Sequence, residues 1–94
     1  MASLAKMALA TQYAETGDIQ QAQGILEGLM KDPQGQIPKQ AVGIQLAHVL
    51  TAQGKRDDAI KVLHDAKDLD PESALNGQLS VELNRLEGGP AVNQ

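Results

Sequence analysis

The chain has 94 residues, enough for one small domain, with a formal charge of −4 and 41% apolar residues. It contains no cysteine, so neither a disulfide nor a thiolate metal site can form, and the compartment stays open between cytosol and bacterial periplasm. The acidic balance argues against nucleic acid and anionic membranes as partners, because both reward clusters of Lys and Arg.

Phe and Trp are absent and Tyr13 is the only aromatic, so Leu, Ile, Val, Met and Ala must fill the core. No apolar run is long enough to span a bilayer. No basic segment leads into an apolar one, as a signal peptide would require. Residues 1–3, Met-Ala-Ser, read as a start codon plus cloning residues ahead of the domain.

In chain order, Leu4, Ala5, Ala8, Leu9, Gln12 and Tyr13 follow the rhythm of one helix face. Gly17 stops that helix and Asp18 is expected to cap the next. Ile19, Ala22, Ile25, Leu26, Leu29 and Met30 form the second stripe, which Asp32-Pro33 ends. Residues 34–40 read as a loop, with Pro38 opening the third helix. That helix carries Val42, Leu46, Val49 and Leu50 and stops at Gly54. The fourth carries Ala59, Ile60, Val62, Leu63, Ala66 and Leu69, with Asp57 and Asp58 in its first turn and Asp70-Pro71 at its end. Glu72 and Ser73 open a fifth helix with Leu75, Leu79, Leu83 and Leu86, which Gly88-Gly89-Pro90 stops. No stretch alternates as a strand would.

The halves of the chain correspond. Gly17 and Gly54 lie 37 residues apart, and the same shift carries Met7 onto Ile44, Leu9 onto Leu46, Ala10 onto Ala47 and Tyr13 onto Leu50. It also carries Ala22 onto Ala59, Ile25 onto Val62 and Leu26 onto Leu63. Each half therefore spells helix, glycine turn, helix, Asp-Pro. The small pairs, Ala10 with Ala22 and Ala47 with Ala59, fall where two helices of a hairpin come closest.

Leu9, Ala10, Tyr13, Gly17, Ala22, Leu26 and Pro33, then Leu46, Ala47, Leu50, Gly54, Ala59, Leu63, Ala66 and Pro71, make a pattern that resembles the tetratricopeptide repeat family. The likeness covers roughly residues 4–87, and the family period is about 34 residues. Lys6 and Gly43 stand where an aromatic is usual, and Leu26 and Leu63 replace another. The resemblance implies an all-α fold, a right-handed α-α superhelix of antiparallel helical hairpins with about five helices. The expected division is repeat one at about 4–33, repeat two at about 38–71, a capping helix at about 72–87 and a flexible tail at 88–94. Ser80 and Asn84 put polar groups on the outer face of the fifth helix, as a cap requires, although docking onto a second subunit would also use that helix. Arrays of this kind want about three repeats, so the cap, a dimer or neighbouring repeats must supply the remaining burial.

The sequence offers little chemistry. His48 and His64 lack the i, i+4 spacing of a metal pair and read as rim residues. The carboxylates of the fourth helix alternate with Lys and Arg, and Asp57 with Lys61 forms an i, i+4 pair worth about 0.2–0.5 kcal/mol. Gly24, Gly28, Gly43 and Gly77 sit inside helices, each costing about 1 kcal/mol against alanine, for close packing or for softness. None forms a phosphate loop. The expectation is no enzyme, no cofactor and no metal.

What remains is surface. The resemblance implies a concave face of first helices that holds a peptide or partner helix. Matching positions place Met7, Thr11, Ala14, Ile44, His48 and Thr51 there, extended by Gln78, Glu82 and Arg85. No Lys/Arg cluster is present to clamp a carboxylate terminus. The function expected is a protein-binding scaffold module, part of a larger, bacterial-type assembly, with a self-associating homodimer as the alternative.

Overall fold

A computed structural model of the chain describes residues 3–32, 37–69, 72 and 74–87. The helix stops expected at Pro33, Asp70-Pro71 and 88–90, the first three residues of the 34–40 loop, Ser73 and the 88–94 tail lie outside these residues. The described residues form five helices and no strand: α1 (Ser3–Glu15), α2 (Ile19–Lys31), α3 (Lys39–Ala52), α4 (Arg56–Leu69) and α5 (Asn76–Leu86). α1 pairs with α2 and α3 with α4 as two antiparallel hairpins, and α5 follows.

The two hairpin turns are built alike. Gly17 and Gly54 adopt φ of +93° and +78°, a region that costs any residue with a Cβ. At the first turn the Asp18 N–H donates to Tyr13 O at 2.8 Å and the Gly17 N–H to Ala14 O at 3.4 Å. At the second, the Lys55 N–H donates to Leu50 O at 2.8 Å and the Gly54 N–H to Thr51 O at 2.9 Å. This is the double closure of a Schellman motif, repeated 37 residues on. The next bonds match too: Ala22 N–H to Asp18 O at 3.1 Å and Ala59 N–H to Lys55 O at 3.0 Å.

Asp18 occupies the N-cap position of α2 as expected, but its side chain makes no cap hydrogen bond. Its backbone is committed to closing α1 and to opening α2, and Lys55 fills the same post in the second hairpin with no capping side chain at all.

Ala10, Ala22, Ala47 and Ala59 are each at most 1% exposed, which fits small residues at the closest approach of paired helices. α3 is the central element and touches all four others. Gln40, Val42, Gly43, Ile44, Leu46, Ala47, Val49 and Leu50 are all buried on it. Gly43 is the interior glycine that close packing explains: a Cβ there would lie 2.9 Å from Ala66 Cβ of α4. Gly24, Gly28 and Gly77 would meet nothing within 4 Å.

Polar bonds tie the hairpins together. Lys39 Nζ, at the start of α3, donates to Leu29 O at 2.6 Å and to Asp32 O, so a cation closes the carbonyl end of α2. Gln53 Nε2 donates to Gln23 Oε1 at 2.6 Å across the same junction.

α5 begins at Asn76 rather than Glu72, because Glu72, Ala74 and Leu75 are spent on the turn that brings the chain back from α4. Its Leu79 and Leu83 are buried. Lys67 Nζ donates to Ser80 Oγ at 3.0 Å, and Arg56 Nε donates to Leu86 O at the C-terminal end of α5. The Asp57–Lys61 pair expected on α4 does not close within ion-pair distance.

Candidate partner-binding face

α1 touches α3 and α3 touches α5, so the first helix of each hairpin and α5 share one side of the stack. On this side a groove of about 270 Å3 runs between α1 and α3. Thr11, Ala14 and Glu15 of α1 line it, with Ile19 at the start of α2 and Gln45, His48, Val49 and Ala52 of α3.

Three of the residues expected on this face, Thr11, Ala14 and His48, therefore meet in one groove. Ile44 is corrected. It is 4% exposed and belongs to the core, so it presents nothing to a partner. The reason is the position of α3, which packs against all four other helices and turns Ile44 away from its open edge. Met7 is half-buried, and Thr51, Gln78 and Arg85 are exposed outside the groove. Thr11 Oγ1 donates to Met7 O at 3.1 Å and Thr51 Oγ1 to Ala47 O at 2.8 Å, so both hydroxyls donate inside their own helices.

Glu82 is 9% exposed and lies against α3 rather than open to a partner. Its Oε1 is 3.2 Å from His48 Nε2 and 3.6 Å from Arg85 Nη1. The buried carboxylate thus keeps polar partners, which it needs once removed from water. A second histidine–carboxylate pair, His64 with Glu87 at 2.9 Å, joins α4 to the end of α5. Both histidines, rim residues by sequence, therefore attach α5 to the second hairpin.

Sequence spacing missed Glu15, Ile19, Gln45, Val49 and Ala52 as lining residues. A usable signal existed in α3. Apart from Gln45 and His48 the segment 42–50 is apolar, the mark of a largely enclosed helix, so its open edge falls on those two positions and their neighbours.

Among the described residues no three His, Asp or Glu side chains are placed to hold a metal ion, and no helix is long and apolar enough to cross a membrane. Stacked antiparallel α-hairpins with glycine turns define an all-α helical-hairpin scaffold. The chain belongs to the tetratricopeptide repeat-like domain family, which it matches over residues 1–79. The family is one of non-catalytic scaffolds that bind other proteins. Comparison with curated proteins and with solved structures gave no match.

Proposed function

We propose that the chain is a non-enzymatic interaction module that holds a peptide or partner helix on the face shared by α1, α3 and α5. In this reading residues of about 4–33 and 38–71 are two repeats and α5 is the cap, with Asn84 exposed on it while Ser80 is turned to Lys67 of α4. The module serves within a larger assembly, in cytosol or periplasm. The observation that carries the reading is the apolar groove between α1 and α3. Its walls, Ala14, Val49 and Ala52, are small, so the floor is open to a side chain from outside. The Glu82 bonds to His48 and Arg85 fix α5 beside it.

A photo-crosslinking residue at Ala14 or Ala52, set against one at Asp58 on α4, tests this reading in the native host. Crosslinks to another protein from positions 14 and 52, absent from 58, are the expected result. Crosslinks back to the same chain would favour self-association instead, for which the 38% exposed Leu9 and 59% exposed Leu69 supply apolar contacts. No enrichment at either groove position would remove the reading.

A further inference from the structure

The chemistry of the groove restricts what can occupy it, an inference that rests on the reading of this face as the binding face. At about 270 Å3 the groove falls below the roughly 300–1,000 Å3 of small-molecule pockets. It suits one or two side chains. Its walls are Ala14, Ile19, Val49 and Ala52, and its lining includes no Lys or Arg. Of the polar groups on the rim, Thr11 donates its hydroxyl to Met7 O, His48 is engaged by Glu82, and Gln45 is a neutral amide. Glu15 is left as the one carboxylate of the lining, and it has no ion pair.

Glu15 is also badly placed for its own helix. It occupies the last turn of α1, where the helix dipole disfavours an acid, and that turn holds no base to offset it. A residue that opposes its local structure without a compensating partner inside the chain points to a partner outside it.

We propose that the α1–α3 groove takes a large aliphatic side chain whose neighbour in the partner segment is Lys or Arg, paired with Glu15. The aliphatic group supplies the burial and the cation selects the register. Charge complementarity favours this occupant over an acidic segment, since the chain as a whole carries −4.

The probes are two blocked peptides, acetyl-Gly-Ser-Leu-Arg-Ser-Gly-amide and its Leu-Glu analogue, titrated into the full isotope-labelled chain at low salt. The amides of Ala14, Glu15, Val49 and Ala52 are followed by NMR. The Leu-Arg peptide is expected to shift these amides and to bind about threefold tighter than the Leu-Glu peptide, the scale of one exposed ion pair. Glu15→Gln should remove that ratio. Asp58→Asn, which removes the same charge on another face, should leave it intact. Equal binding of the two peptides, or a ratio lost equally in both variants, overturns the cation pairing while the binding face stands. Failure of both peptides to shift the groove amides overturns the binding face and the pairing together.

Discussion

α1 and α3 carry corresponding residues 37 positions apart, yet they bear different loads. Ala10 and Ala47 are both 1% exposed, because each sits inside its own hairpin. Leu9 is 38% exposed, whereas Leu46 is 3% exposed. Met7 and Tyr13 are half-buried where Ile44 and Leu50 are fully buried. The residues do not explain this, since Leu meets Leu at the first pair. The neighbours do: α2 packs along α3, and no described helix stands in that relation to α1. A motif fixes which side chains face a hairpin partner. Burial on the other faces is set by what stacks there.

The sharpest way to break the comparison is one substitution made twice. Leu46→Ala removes a buried side chain from the central helix and should cost about 2–5 kcal/mol, the range for large-to-small changes in a packed core. In so small a domain that could abolish folding, so Leu46→Val is the fallback, with a smaller loss of the same sign. Leu9→Ala removes a side chain that is already partly in water and should cost under about 1 kcal/mol, because much less transfer free energy is lost. Urea titration followed by circular dichroism measures both. Equal losses would mean that the face of α1 is covered in solution.

Glycines sharpen it further, because their signs should differ. Gly43→Ala puts a methyl 2.9 Å from Ala66 Cβ and should destabilise by about 1–3 kcal/mol through overpacking, in spite of the better helix propensity. Gly24→Ala and Gly28→Ala meet nothing and should each stabilise by about 0.5–1 kcal/mol. Melting temperatures moving down for the first and up for the other two would place the tight contact between α3 and α4 alone. A stabilised Gly43→Ala would show that these helices have room to give.

Much of this was legible from residue order, and the part that was not has a common cause. The five helices, the turn glycines and the buried alanines are local statements, settled by spacing within one hairpin. The burial of Ile44 was not legible, because it depends on how other helices stack around α3 and not on spacing within α3. The attachment of α5 was not either: His48 meets Glu82 from 34 residues away and His64 meets Glu87 from 23 away, and no helical period encodes such pairs. Asp18 stands at the N-cap of α2 as its type suggests, but its side chain makes no cap bond, and the matching turn closes with Lys55 at the same post. Glu15 was overlooked because a single acid at a helix end carries no pattern.

The two turns are where the hairpins should behave alike. Gly17 and Gly54 both have positive φ with nothing within 4 Å of an added Cβ, so Ala at either site should cost about 1–2 kcal/mol from backbone strain alone. A large difference between the two would mean that packing, not the turn, sets the cost at one of them. The smallest effect should come from the junction. Lys39→Met keeps an apolar stem but deletes the cation that closes α2 at Leu29 O and Asp32 O, at a cost of about 0.3–1 kcal/mol. The loss should be local. Amide exchange is expected to quicken in the last turn of α2 while the amides at Gly54 and Lys55 keep their protection. If exchange quickened in both hairpins together, they would be one cooperative unit, and the unequal burial of Leu9 and Leu46 would not translate into unequal stability.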